Sequence, residues 1–220
     1  EDFESFSRAA AFIGTLQAAY TDFHYISEKW REVSEKESLL GIGLCGAANK
    51  KFLKLDMKKA ASVAVEENAR VAKLLKINPA ARITCVKPDG NSSCLLGSAS
   101  GVHSWHSPFY IRRMRLNKEE PIYKYLKKVL PALIEDEFFN PTTETVLSLP
   151  IKAPSGSITR SESTFDLLER VKLIYQNWVL PGHTSGDNSH NTSATIYVKD
   201  GEWEKIRDWV WDNRDCFNGL

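Results

Sequence analysis

Apolar side chains recur every three or four positions in six stretches of the chain, and this spacing predicts six amphipathic helices. In the first stretch the apolar stripe includes Phe6 and Ile13. Two helices have recognisable starts: Asp56 is a predicted N-cap, and Ser163 with Asp166 forms a predicted capping box. The predicted helices lie over 3–20, from near Ser27 onward, over 57–77, 121–130 and 164–179, and within 202–213.

Five shorter segments have the length and composition of strands. Because strands alternate with helices of useful length, the pattern predicts an α/β fold with mainly parallel strands. In such folds, ligands bind at the carboxyl ends of strands. The predicted strands are LLGIGLCG (39–46), RITCV (82–86), FYIRRMRL (109–116), TVLSLPI (145–151) and SATIYV (193–198).

The composition is that of an ordinary globular protein, with 42% hydrophobic and 26% charged residues and a formal net charge of +1. Such a charge gives no reason to expect binding to nucleic acid or to a membrane. There is no apolar run of the length that spans a bilayer and no leader-like start. The four cysteines form no CxxC pair, which favours a reducing, cytoplasmic environment. We therefore expect one domain over residues 1–220.

The stretch CVKPDGNSSCLLGSASG, residues 85–101, places small residues between a predicted strand and a helix that begins near Ser92. Pro88 fixes φ, and Gly90 permits a sharp turn. A helix start offers unpaired N–H groups and a partial positive charge, which together suit a phosphate. The residues alone leave two interpretations open: a phosphate cradle, or a tight turn with an N-cap and no ligand.

A longer stretch, TCVKPDGNSSCLLGSASGVHSWHSPFYIRRMRL at 84–116, resembles a motif of the ribonucleotide reductases, and most closely that of the adenosylcobalamin-dependent class. Other segments resemble the same family in order and spacing. These are EKWREVSEKESLLGIGLCG, NPTTETVLSLPIKAP and GDNSHNTSATIYV. Together they extend over most of residues 25–213.

The resemblance implies the C-terminal portion of a ten-stranded α/β barrel, in an enzyme that converts ribonucleotides to 2′-deoxyribonucleotides with adenosylcobalamin as cofactor. It implies a ribonucleotide substrate and, as partner, the N-terminal half of the reductase or a dimer mate over the open barrel edge. His103 is a candidate for lining the cavity. By position, the substrate's phosphates would contact Pro88, Asp89, Gly90, Asn91, Ser92 and Ser93.

Asp89 departs from the family's pattern, whereas the resemblance assigns Cys45 no redox role. Asp89 stands where the family usually has Ser or Thr, and a carboxylate repels a polyphosphate. Asp89 therefore either faces outward and caps the turn, or the phosphate is held differently. Cys45 stands where the family often has Ser or Met.

The family's radical chemistry uses an N-x-C-x-E segment, and these 220 residues contain none. We therefore expect no catalytic residue in this chain and no activity of the chain alone, as for a fragment or one part of a split enzyme. A second hypothesis is a non-catalytic nucleotide-binding or assembly module derived from the same fold.

Other clusters of polar or aromatic residues have plainer interpretations. The histidines lack the spacing of a metal site, so no metal is expected. Among Arg112, Arg113 and Arg115, one could reach a phosphate, although an exposed or ion-paired strand face is the simpler interpretation. The spacing of Trp203 and Trp209 on the last helix predicts that both are core residues.

Overall fold

The protein, seen in a computed structural model that describes residues 2–220, combines helices with one small sheet. Short helical turns lie at Phe52–Lys54, Pro131–Leu133, Tyr175–Val179, Leu180–Gly182 and Arg214–Cys216. The longer elements are α1 (Asp2–Ala18), α2 (Glu28–Glu37), α3 (Met57–Leu75), α4 (Ser92–Leu96), β1 (Phe109–Asn117), α5 (Pro121–Val129), β2 (Ile134–Asp136), β3 (Glu144–Lys152), α6 (Thr164–Ile174) and α7 (Trp203–Asp212).

The predicted helix starts are confirmed where a capping side chain marks them. The Asp56 carboxylate accepts the Lys59 N–H at 3.0 Å at the start of α3. Ser163 and Asp166 form the reciprocal capping box at the start of α6. Each cap satisfies backbone donors that would otherwise lack an intrahelical partner, and thereby fixes the first residue of its helix. No helix within residues 2–220 is long and apolar enough to cross a membrane.

The buried face of α1 differs from the predicted stripe. Phe6 is 73% exposed and Ile13 is 56% exposed, whereas Ser7, Ala11 and Thr15 are buried. The small side chains allow α1 to pack closely on α3. This packing includes a polar link, because Asn68 of α3 donates to the Thr15 hydroxyl at 3.0 Å. Volume and hydrogen bonding decide the orientation of this helix, and neither is visible in the spacing of apolar residues.

The centre of the molecule holds three extended segments that run side by side in parallel. They are joined by the isolated bridges Ile42–Thr84 and Val86–Thr192. The Ile42 N–H donates to the Ile83 carbonyl at 2.9 Å, and the Val86 N–H donates to the Asn191 carbonyl at 3.0 Å. The predicted strand 82–86 is largely buried, whereas 39–46 alternates between buried residues (Leu40, Ile42, Leu44) and exposed ones, and each forms bridges rather than a continuous ladder.

The regular sheet is antiparallel, so the prediction of mainly parallel strands is wrong for it. Its order is β1–β3–β2, with Phe109 opposite Lys152 and Asn117 opposite Glu144. The predicted strands 109–116 and 145–151 are confirmed. They pair in antiparallel orientation, and the chain between them forms α5 and β2.

The predicted strand over 193–198 is absent from the described structure. The Ser193 N–H donates to the Val86 carbonyl at 3.0 Å, but the Thr195 N–H donates to the His103 ring instead of to a strand. Within residues 2–220, the backbone N–H groups of Ala194, Ile196 and Tyr197 have no acceptor. The composition of this segment suits a strand, yet the neighbour it would need is not supplied by the described residues.

Trp178 anchors the central segments to the helical layer. Its side chain is fully buried, and its indole N–H donates to the Cys85 carbonyl at 3.0 Å. The prediction that Trp203 is a core residue is wrong, because 65% of it is exposed. Trp209 is partly buried, stacks on Phe217, and donates to a carboxylate of α6.

A buried ion pair between Arg170 of α6 and Glu162 holds the Arg170 side chain in place next to Val102. Arg170 and Glu162 form two hydrogen bonds of 2.6 and 2.7 Å, and their side chains are only 3% and 10% exposed. The Arg170 Nε also donates to the Val102 carbonyl at 3.1 Å. The guanidinium therefore connects α6, together with the residue just before its N-cap, to Val102, which lies 68 positions earlier.

We expect Arg170→Met to lower the free energy of unfolding by about 3–5 kcal/mol, because it leaves the Glu162 carboxylate buried without its partner. The matched control is Arg207→Met, which removes an ion pair whose side chains are 70% and 63% exposed, and which should cost at most about 1 kcal/mol. Denaturant unfolding of both variants measures the difference. Equal losses in the two variants would contradict the assignment of Arg170 as a buried clamp.

Candidate functional site: the loop after the central segment

The loop predicted to hold phosphate begins where the central segment 82–86 ends. We call residues 87–93 the candidate loop; it leads directly into the five-residue helix α4. Gly90 is exposed, and a Cβ added there would meet no atom within 4 Å. Gly97, with φ +61°, ends α4 in the left-handed conformation. The candidate loop therefore has open space on one side and a short, sharply terminated helix after it.

Four consecutive backbone donors of the candidate loop are unpaired. Among the described residues 2–220, the N–H groups of Gly90, Asn91, Ser92 and Ser93 have no acceptor. Pro88 has no N–H, and the Asp89 N–H donates to the Ser100 hydroxyl at 2.9 Å. Unpaired N–H groups at a helix start carry partial positive charge and attract anions. Of the six predicted contacts, four thus present free backbone donors.

The Asp89 carboxylate is held by the chain itself, so it does not cap the turn as the first of the two expected arrangements required. It accepts a hydrogen bond from the Cys45 thiol, which lies 44 residues earlier in the sequence. Burial, followed by this hydrogen bond and the carboxylate's charge, raises the pKa of Cys45 to about 11. The thiol therefore stays protonated at neutral pH and remains a donor.

The segment after α4 supports the candidate loop from below. Gly101 adopts φ +52°, and a Cβ there would lie 2.5 Å from the Lys87 carbonyl oxygen. Only glycine permits this close approach. The Gly101 carbonyl in turn accepts the Ala47 N–H at 3.0 Å. The SGVH part of the motif is thus explained by backbone packing beneath the loop.

His103 lies where the sequence analysis expects a cavity-lining residue, and both of its ring nitrogens are occupied. Nε2 accepts the Thr195 N–H at 2.9 Å, so Nδ1 carries the proton and donates to the Ser100 carbonyl at 3.1 Å. The ring ties the 193–195 segment to the chain beneath the candidate loop. Its position in the structure is that of a neutral bridge.

A cavity of about 360 Å³ adjoins the candidate loop through Ser100 and Arg112. Sequence reasoning missed Tyr110 and Arg160, which also line it. None of its lining residues within the described chain is a carboxylate. A wider cavity of about 700 Å³ lies against α6, and its lining mixes three carboxylates with the basic side chains of Lys50, Arg170 and Lys172. Neither cavity is lined by a residue of the candidate loop itself, but the smaller one has no carboxylate in its wall and includes Ser100, whose hydroxyl accepts the Asp89 N–H.

The three strand arginines have different partners. Arg113 pairs with Glu135, and Arg115 pairs with Glu137 at 3.4 Å. Arg112 lies on the opposite face of the strand and donates to the sulfur of Cys94 in α4. The prediction of an ion-paired strand face therefore holds for Arg113 and Arg115. Of the three strand arginines, Arg112 is the one that brings positive charge beside the candidate loop.

Lys87 does not extend over the candidate loop. Its ammonium lies over Gly41, where an added Cβ would come within 2.7 Å of Nζ. No group of three or more His, Cys, Asp or Glu side chains in residues 2–220 is arranged to hold a metal ion. The positive potential near the loop therefore comes from backbone donors and Arg112.

Comparisons with known proteins agree with the resemblance found in the sequence. No family model matches the chain. The chain is 30% identical over 113 residues to a probable adenosylcobalamin-dependent ribonucleoside-triphosphate reductase of Dictyostelium discoideum, covering 49% of this chain and 14% of that protein. It is 25% identical over 159 residues to the adenosylcobalamin-dependent ribonucleoside-triphosphate reductase of Euglena gracilis, covering 68% of this chain and 22% of that protein.

The chain is therefore similar in sequence to two proteins named as adenosylcobalamin-dependent ribonucleoside-triphosphate reductases. Its fold resembles the crystal structure of a B12-dependent (class II) ribonucleotide reductase with a TM-score of 0.71, at 20% sequence identity. That match covers 94% of this chain and 33% of the other. The chain thus spans a third or less of the length of each of these proteins.

We expect Cys45 to be alkylated by iodoacetamide at pH 8 roughly 100-fold more slowly in the folded chain than in the urea-unfolded chain, because a pKa near 11 rather than 9.0 leaves far less thiolate. Mass spectrometry of the labelled peptide measures both rates. In Asp89→Asn, the alkylation rate of Cys45 in the folded chain should rise, because the charge of Asp89 and its hydrogen bond as a carboxylate are two of the three causes of the raised pKa.

The same pKa predicts a pH dependence of stability. The folded pKa lies above the unfolded one, so the contribution of Cys45 is fully present below pH 9 and is lost between pH 9 and 11. Cys45→Ser should reduce the loss of stability over that range. An unchanged alkaline unfolding profile would count against the thiol–carboxylate contact.

Proposed function

We propose that this chain forms part of an adenosylcobalamin-dependent ribonucleoside-triphosphate reductase, in which the candidate loop holds the phosphates of the ribonucleotide substrate. The observation that carries the proposal is the run of four unpaired N–H groups from Gly90 to Ser93, next to open space at Gly90. The fold and sequence relationships support it. By position, Pro88 and Asp89 complete the loop.

The chemistry of the loop is suited to a phosphate. Backbone N–H groups cannot be protonated or displaced, and they bind an anion without the side-chain entropy cost of a long cation. Arg112 adds positive charge through its position beside Cys94 of α4. The adjoining cavity, with Tyr110 and Arg160 in its wall, is the proposed location of a further part of the nucleotide.

The chain would contribute the C-terminal portion of the catalytic barrel as one domain over residues 1–220, while the radical-forming cysteine comes from another segment of the reductase. None of the four cysteines is assigned to catalysis. Burial raises the pKa of Cys85 and of Cys216, as it does for Cys45, and Cys94 donates to the Gly90 carbonyl at 2.9 Å.

The proposed partner of the chain is that other segment of the reductase, or a second copy across an open edge. The unpaired N–H groups of Ala194, Ile196 and Tyr197 support this, because an extended segment with free donors is a template for another strand. His103 fixes the start of this segment through its bond to Thr195.

Adenosylcobalamin is the proposed cofactor of the complete reductase, and it supplies the radical that begins nucleotide reduction. The residues beside the candidate loop do not by themselves enclose it. A cavity of about 360 Å³ lies near the lower limit for small-molecule pockets, and a corrinoid with its adenosyl group is far larger. We therefore derive no step through the cofactor from this chain.

A reconstitution experiment tests the proposed activity. The chain is mixed with a polypeptide that carries an N-x-C-x-E segment, and deoxyribonucleotide formation is measured with adenosylcobalamin and a dithiol reductant. We expect activity only when both polypeptides are present. A mixture that associates but stays inactive would favour a non-catalytic nucleotide-binding or assembly module.

The loop itself is tested by placing a negative charge in its open space. Gly90→Glu should weaken the binding of inorganic tripolyphosphate at least about tenfold, because a carboxylate a few ångströms from the anion costs more than 1 kcal/mol. Gly219→Glu is the matched control, since a side chain there also meets open space and Gly219 is outside the loop. Titration calorimetry compares the two variants. Equal affinities would place the anion elsewhere.

A further inference from the structure

The Cys45 thiol donates to the Asp89 carboxylate, although 44 residues separate the two in the chain. This contact joins the segment 39–46 to the candidate loop. The carboxylate is therefore held by a side chain from outside the loop.

Asp89 would otherwise compete for the donors of the candidate loop. An aspartate side chain readily accepts the N–H two residues later in the sequence, and a carboxylate is favoured at a helix start. For Asp89 that donor belongs to Asn91, which is one of the four unpaired N–H groups. A free Asp89 carboxylate would cap the donors and would repel a phosphate.

We propose that Cys45 is a positioning residue whose thiol holds the Asp89 carboxylate aside, so that the donors of Gly90–Ser93 stay open to an anion. The inference rests on the proposed phosphate-binding function of the loop. The second restraint on Asp89 is its own N–H, which donates to Ser100 at 2.9 Å and fixes the backbone from which the side chain projects.

Protonation favours the persistence of this contact. The thiol must keep its proton to donate, and the pKa of Cys45, raised to about 11 by burial and by Asp89, keeps it protonated across the physiological range. Asp89 is itself the charged group that acts on the Cys45 thiol. The arrangement is therefore stable against ordinary changes of pH.

A ligand-free measurement tests the inference independently of phosphate binding. In Cys45→Ala, the released carboxylate should cap the loop, and amide hydrogen exchange at Asn91 and Ser92 should slow several-fold by NMR. The double variant Cys45→Ala/Asp89→Asn should exchange faster than Cys45→Ala, because the charged cap is gone. Unchanged exchange in Cys45→Ala would overturn the proposal.

Binding of inorganic tripolyphosphate, measured by calorimetry, supplies the second readout. Cys45→Ala should bind roughly tenfold more weakly than the unmodified chain, as expected for a like charge close to the anion. Cys45→Ser, which keeps a donor, and the double variant should both retain binding. Cys216→Ala is the control for loss of another partly buried thiol, and should bind normally.

The outcomes separate the two proposals. If Cys45→Ala slows exchange at Asn91 but the unmodified chain binds no tripolyphosphate, Cys45 does position Asp89 and the phosphate-binding function fails. If the unmodified chain binds and the double variant is as weak as Cys45→Ala, the thiol acts through packing and the positioning proposal is wrong.

Discussion

The fixed position of the central segment 82–86 is the constraint on which the rest of the structure depends. One edge is bonded to Ile42 and the other to Asn191, and the indole of Trp178 donates to the carbonyl of Cys85. A segment held on three sides cannot shift without breaking buried hydrogen bonds, each of which is costly to leave unmade. The start of the candidate loop, one residue beyond Val86, is therefore set by the core.

The candidate loop is rich in small residues, but the segment beneath it is held in place by buried contacts. Gly101 allows the chain below to touch the Lys87 carbonyl, and the Arg170 side chain bonds to Val102, the next residue. Through Arg170, the floor of the loop is connected to Glu162 and to α6. Donors that are held in place before a ligand arrives lose little entropy on binding, so this support would favour the binding of the proposed phosphate.

The sequence predicts the parts of the fold that are encoded locally. Asp56 and the Ser163–Asp166 pair mark their helices because a cap and the N–H groups that it satisfies lie within three residues. The prediction of a strand over 193–198 is wrong because a strand also requires a neighbouring strand, and the composition of a segment does not show whether one is present. The prediction that Trp203 is a core residue is wrong because its spacing matches that of a buried helix face, whereas the buried face of α7 is the one around Ile206.

In the candidate site, too, the features encoded locally could be predicted from the sequence and the long-range contacts could not. The loop, its glycine and its serines could be recognised because they are contiguous. The Cys45–Asp89 contact, the Arg112–Cys94 contact and the His103–Thr195 bond could not, since each joins residues 18 to 92 positions apart. These long-range contacts set the charges around the loop: one occupies a carboxylate, one brings a guanidinium near, and one joins two chain segments through an imidazole. The motif therefore predicts a position for an anion, while the fold determines the local charge at that position.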